Sequence, residues 1–429
     1  MEQGKLPLSG LRVCDFSWFA AAPIATKTLA DLGAEVIKME SATHPDGIRT
    51  ASPHAKGKEG DINAAGWFNN FQTSKLCLGI NLTHPKAKGI YDRLIMASDI
   101  VVENFSPALR DRYGLIYEEY AKKKPDLIWV DQPMQGLIGP HRNRAGFGAV
   151  ITPMCGLSYI TGFPGRAPVG TNTNYTDYVI NPGHLAIVIM AALRRRRRTG
   201  KGQHIVMSQL ASSACVLETT ILDYTVNGRI REKQGNTSPY AAPHGCYKCR
   251  GEDRECLLVT PVGVMTGKKS DRWCVIACFT DEQWWSFCDV IGNPAWTMDP
   301  KFATLLARKE NEAELDKLVG EWTIGRSPEE VMMLMQQTGV PAGIVQDAED
   351  ILVQDPHLRS RGYYVYLDHS VTGHSAYDSA GYRLSATPGK QSRPAPRIGE
   401  HTELVCKEVL GMSEEEITEL VVDGLLEIG

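Results

Sequence analysis

The sequence lacks what would place it at a membrane, on nucleic acid or in an oxidising compartment. Its opening, MEQGKLPLSG, has no basic segment followed by an apolar run, and no uninterrupted apolar run reaches the ~20 residues of a bilayer span. A formal net charge of −4 over 429 residues gives none of the basic footprint that nucleic acids and anionic membranes require. The eleven cysteines are scattered, several inside apolar segments such as Cys274-Val275-Ile276-Ala277-Cys278, and read as reduced buried thiols. The expectation is a cytoplasmic protein with no nucleic-acid or membrane partner. A G-x-G-x-x-G after the first strand is also missing, which removes the main support for a dinucleotide site. A zinc site built from His244, Cys246, Cys249, Cys256, Cys274 and Cys278 is set aside, because Cys246-x-x-Cys249 has no second C-x-x-C to pair with, Cys274 and Cys278 being spaced C-x-x-x-C. No metal is expected.

What is present is a large apolar fraction, 43%, arranged as alternating strands and helices. Residues 10–16 read as a buried strand, 23–32 as a helix, and 33–40 as a glycine-capped helix end running into a second strand. Further strands are predicted at 75–82, 99–105 and 127–131, with a helix over 85–96 that begins with proline. Strand, helix, strand with short links predicts a doubly wound α/β domain over residues 1–200, whose ligand crevice lies at the carboxyl ends of the strands. The first such turn, Ser17-Trp18-Phe19-Ala20-Ala21-Ala22, carries small residues that let a ligand approach the backbone.

The stretch at 171–193, TNTNYTDYVINPGHLAIVIMAAL, places Asp177 before a helix that is apolar on nearly every side from Gly183 and is therefore expected to be buried all round. Asn181, Pro182 and Gly183 read as N-terminal punctuation, where orphan amides favour an anion. Two readings of Asp177 stand: a turn or capping residue, or a shielded carboxylate nucleophile. The five arginines Arg194–Arg198 suit the carboxyl-terminal dipole of that helix, and Ser413 to Leu420 reads as a capped acidic helix.

Five ordered blocks carry a resemblance: GLRVCDFSWFAAAPIATKTLADLGAEVIKMES, SDIVVENFSPALRDRYGL, NRAGFGAVITPMCGLSYITG, the Asp177 segment closing in RTGKGQHIVMSQL, and RPAPRIGEHTELVCKEVLGMSEEEITEL. Together they resemble the class III CoA-transferases, the CaiB/BaiF family. The resemblance implies an α/β fold with a Rossmann-like large domain built from both chain ends (1–229 and 331–429), a smaller α+β domain (230–330), and two chains interlocked as linked rings. Residues 339–345 would then mark the return into the large domain. Residues 252–271 stand out as an insertion.

The same resemblance makes Asp177 the catalytic nucleophile of a CoA transfer and implies that Arg49, Asn104, Phe105, Arg112 and the small-residue turn at Ala22 line the CoA groove. Trp18, Phe19, Phe147 and Gly148 are assigned to the substrate pocket, with Trp67 and Phe68 near its mouth. No permanently bound cofactor is implied, the CoA thioester being a substrate. Racemases of the family pair the aspartate with an upstream histidine, and this chain has Phe147 there. Oxalate-using members carry a glutamate where Gly148 stands. The first block and HPDGIRT are most similar to succinyl-CoA:benzylsuccinate CoA-transferase subunits, enzymes of aromatic degradation. Partners would be an acyl-CoA, a carboxylic acid and a second chain, identical or paralogous, and a catalytically silent CoA-binding subunit is the alternative.

Overall fold

The computed structural model describes residues 5–170, 173–260 and 263–429. Thr171 and Asn172, which open the Asp177 stretch, and Pro261 and Val262 in the 252–271 segment lie outside them. The chain divides into two compact units. The first is Met1–Tyr159, Gly170–Arg231 and Pro356–Gly429; the second is Ile160–Val169 and Glu232–Asp355.

The first unit is built on a parallel sheet of β1 (Arg12–Asp15), β2 (Glu35–Glu40), β3 (Leu76–Ile80), β4 (Ile100–Glu103), β5 (Ile128–Asp131) and β6 (Gln203–Val206), in the order 3-2-1-4-5-6. Strands β1 to β5 fall within the predicted segments. They are buried on both faces, which is why they read as continuous apolar runs. Strand β6 escaped the sequence reading because it is a half-buried edge strand carrying Gln203 and His204. Leu426–Glu427 adds a short antiparallel strand outside β3. The order reverses between β1 and β4, so the topological switch point lies above their carboxyl ends.

Three helices matter for the site: α1 (Ala21–Asp31), α2 (Gly148–Met154) and α3 (Asn181–Thr199). Helix α3 packs through one stripe, Leu185, Ile189 and Ala192, against Ala22, Ala25 and Leu29 of α1 and the strands beneath. The expectation of burial all round is corrected: Ile187 is 65% exposed and Met190 41%, because a helix laid on a sheet presents only one face to it. The punctuation is corrected too. The chain is already helical from Thr176, through a π-helical turn Thr176–Ile180 in which the Asn181 N–H reaches the Thr176 carbonyl. Pro182 has no N–H to donate, so the ladder widens at this point. The continuous helix Thr176–Thr199 has the length and composition of a membrane span, contrary to the sequence expectation, and its stripe in the sheet's core accounts for that apolar character.

The second unit holds the antiparallel strands β7 (His244–Cys249), β10 (Arg272–Ala277) and β11 (Ala342–Ile344), and a separate hairpin of β8 (Arg254–Thr260) and β9 (Gly263–Lys269), which is what the 252–271 segment forms. Its core packs Trp284, Phe287, Phe302, Leu315, Val319, Val331 and Met335 with Cys249, Cys274, Cys278 and Cys288. Pairing of β11 with β10 corrects the expected return at 339–345: that segment belongs to the second unit, which runs on to Asp355.

Candidate active site

At the switch point the first turn is held by charges buried beneath it. The Asp15 carboxylate, at the end of β1, accepts from the Ser17 N–H (2.9 Å), the Thr26 hydroxyl (2.7 Å) and Lys75 Nζ (3.0 Å). Lys38 donates to the Ser17 carbonyl (2.7 Å) and to Asp46 (3.1 Å), whose other oxygen accepts the Phe19 N–H (2.9 Å). Asp15, Lys38, Asp46 and Lys75 have no exposed surface. Such pairs leave heavy penalties when one partner is removed. Phe19 is thereby held at φ +64, a left-handed conformation that a side-chain-bearing residue adopts only under constraint.

From the end of β4, Asn104 grips the same turn: its Oδ1 accepts the Trp18 N–H (2.9 Å) and its Nδ2 donates to the Trp18 carbonyl (2.8 Å). Phe105 is buried and meets Trp18 edge to face at 5.7 Å. Phe19 and Phe147 stand with parallel rings, centroids 5.9 Å apart, both partly exposed.

Asp177 lies in the wide turn before α3, 4% exposed. Its Oδ2 accepts the Gly148 N–H, the first of α2, at 2.7 Å, and its Oδ1 is buried without a hydrogen-bond partner. Burial raises the carboxyl from 3.8 to about 6, with the Gly148 N–H and the Asn181 side chain pulling the other way. At neutral pH it is ionised and fixed through Oδ2; the Asn181 side chain lies near enough to act on the charge but donates its Nδ2 hydrogen bond to Ser213, and no hydrogen bond is made to Oδ1. A Cβ at position 148 would come within 2.5 Å of Oδ2, so only glycine permits this contact.

These groups enclose one cavity of about 200 Å³, lined by Trp18, Phe19, Ala20, Ala21, Asn104, Phe105, Met134, Phe147 and Asp177, among others. Arg142 and Arg144 also line it, and nothing in the sequence reading singled them out. No histidine, lysine or second carboxylate lies among its lining residues. The second unit has a larger cavity, about 980 Å³, but Asp316 on its wall is bound by the Tyr247 hydroxyl at 2.7 Å.

Several expected groove residues are not brought to this cavity. Arg49 is wholly buried, its guanidinium held by both oxygens of Glu40 (2.6 and 3.0 Å), Asn63 and the Pro396 carbonyl, over the Phe68 ring at 3.4 Å. It has no donor left for a phosphate. Arg112 is exposed at the end of Pro107–Arg112, off the cavity wall. Ala22 is buried in the packing of α1 and α3, and its neighbours Ala20 and Ala21 line the cavity instead. Trp67 stacks on Tyr178 and donates to the Ser52 carbonyl (2.7 Å), so it and Phe68 are packing residues.

The sequence profile of CoA-transferase family III matches residues 8–262 and 259–402. Succinyl-CoA–D-citramalate CoA-transferase of Chloroflexus aurantiacus is 31% identical over 415 residues, 96% of each chain. The beta subunit of succinyl-CoA–L-malate CoA-transferase from the same organism is 29% identical over 97% of each. A CaiB/BaiF family protein from Brucella suis, known from its crystal structure, superposes with a TM-score of 0.80 at 29% identity, covering 94% of this chain and all of that one. With the profile and these full-length relatives agreeing, the chain belongs to CoA-transferase family III and is a transferase of CoA groups.

Proposed function

We propose that Asp177 is the nucleophile of a CoA transfer from succinyl-CoA to a carboxylic acid. Its bare, buried, ionised Oδ1 in the switch-point cavity carries this reading. Oδ1 attacks the thioester carbonyl, the C–S bond breaks, and CoA leaves as thiolate from a mixed succinyl-aspartyl anhydride. The thiolate attacks Cγ of Asp177 and expels succinate, giving an aspartyl-CoA thioester. The acceptor carboxylate then displaces the thiolate from Cγ, and the thiolate returns to the acceptor's carbonyl, leaving acyl-CoA and free Asp177. Each step exchanges one anion for another and splits a hard displacement into easier ones. No proton carrier is required, which fits a cavity without histidine or a second acid. A racemase would need such carriers.

The acceptor is an acid with an apolar body, benzylsuccinate being the type: Phe19 and Phe147 give it parallel rings to lie against. Asn104 serves the CoA groove by holding the turn at Trp18, and Phe105 by backing Trp18 on its wall. The working unit is an interlocked dimer, homomeric or with a paralogous chain, in the cytoplasm; the uncovered apolar face of α3 supports a second chain there. Incubation with succinyl-CoA, trapping with hydroxylamine or borohydride, and mass spectrometry of the Asp177 peptide tests the mechanism. Modification lost in Asp177→Ala supports it. An unmodified peptide in a protein that CoA stabilises would favour a silent CoA-binding subunit.

A further inference from the structure

We propose that Arg142 and Arg144 form an anion subsite for the carboxylate remote from the reacting one, making the enzyme selective for dicarboxylates as donor acyl group and as acceptor. The inference rests on Asp177 as nucleophile. Both arginines come from the segment 139–146, which follows β5, lines the cavity through Arg142 and Arg144 to Gly146, and is shaped by its own turns, Arg142 N–H to the Gly139 carbonyl and Arg144 N–H to the His141 carbonyl. Gly146 seats the end of the segment against Met134, where a Cβ would lie 2.5 Å from Sδ.

Other exposed arginines, such as Arg112, Arg194 and Arg197, are likewise unused in folding; what sets this pair apart is that it lines the cavity that holds Asp177. Among the described residues neither guanidinium meets a carboxylate or a carbonyl, whereas Arg49 is bound to Glu40, Arg110 to Asp131 and Asp111, and Arg196 to Asp99. A guanidinium fork matches a carboxylate in two parallel hydrogen bonds, and facing a cavity it awaits such a partner.

The charge of the cavity follows the reaction. At rest, Asp177 and the two arginines give a net charge of one positive, which matches the single remote carboxylate of a succinyl thioester. Once Asp177 is a neutral thioester, the net is two positive, which matches an incoming dicarboxylate dianion. A monocarboxylic substrate leaves one positive charge unanswered in each state. The wall formed by Phe19, Phe147 and Met134 covers the carbons between the two carboxyl groups.

Isotope exchange tests this with no knowledge of the physiological acceptor: labelled succinate into succinyl-CoA, against labelled butyrate into butyryl-CoA, on the full-length protein. The two acids differ by a carboxylate in place of a methyl group. Wild type favours succinate, and Arg142→Gln with Arg144→Gln lowers the succinate-to-butyrate rate ratio by about a hundredfold, at roughly tenfold or more for each charge-assisted ion pair removed. Arg→Lys at both positions restores part of the ratio. A thermal melt matching wild type confirms that the exposed pair is outside the fold's stability. An unchanged ratio overturns the proposal, as does an equal fall in both exchanges, which would assign the arginines to CoA itself, and as does a wild type that exchanges neither acid. Exchange of succinate that persists in Asp177→Asn would sink the nucleophile reading, while the ratio would still decide the arginines.

Discussion

Asp177→Asn should stabilise the protein while abolishing transfer. Holding at pH 7 a carboxylate that burial has lifted from 3.8 to about 6 costs roughly 3 kcal/mol against the unfolded chain. An asparagine keeps the carbonyl that accepts the Gly148 N–H, carries no charge, and avoids most of that penalty. The sign follows from proton counts. Between the two values the folded protein holds a proton that the unfolded chain has lost, so wild-type stability falls as pH rises from about 4 to 6 and is level above. The gain on substitution is therefore largest at pH 7 and fades towards pH 4. Thermal denaturation of both proteins at pH 7 and at pH 4.5 measures it, with the variant melting roughly 2–5 °C higher at the first and by only about a third of that at the second. A variant no more stable than wild type at pH 7, or a gain that does not shrink with acid, would refute the account of Asp177 as an ionised, desolvated carboxylate held through one oxygen only.

The same titration should govern rate: kcat/KM rises about tenfold per pH unit below 6 and levels above 7, and an inflection near 4 in the pH profile would contradict the burial. Gly148→Ala drives a methyl group to 2.5 Å from Oδ2 and displaces the nucleophile; kcat falls by at least about a hundredfold while CoA affinity by calorimetry is retained. Asp46→Ala removes the acceptor of the Phe19 N–H and leaves Lys38 buried without its nearest carboxylate, so denaturation should show a loss of about 3 kcal/mol or more.

The sheet was legible because five of its six parallel strands are buried on both faces and leave apolar runs in the sequence. Asp177 was not decided by its neighbours: a cap and a nucleophile look alike until the backbone shows which amides are near. The family resemblance chose between them, and the unpartnered Oδ1 supplies the physical ground. Arg49 shows the opposite case. Phosphate chemistry and ion-pair chemistry use the same guanidinium, and its partner Glu40 lies on β2, a proximity no spacing rule reveals. Arg142 and Arg144 stayed hidden because an exposed loop arginine carries no periodic signal. Strand β11 was missed for want of length: three residues, Ala342 to Ile344, have no period to read.

The missing glycine motif acquires a reason from the network under the first turn. With strand order 3-2-1-4-5-6, a dinucleotide would rest its pyrophosphate on the amides that follow β1. Here three successive amides are occupied from within the chain: Ser17 by Asp15, Trp18 by Asn104 and Phe19 by Asp46. Two of those three acceptors are carboxylates, so an anion there would meet repulsion as well as occupied donors. The turn needs no glycine because it cradles no phosphate; Phe19 takes a left-handed conformation under the hold of Asp46, and its ring becomes a wall of the cavity. A Rossmann-type sheet closed in this way to pyrophosphate keeps the crevice above β1 and β4, and the carboxylate that enters it comes from outside the first turn, on the wide turn before α3.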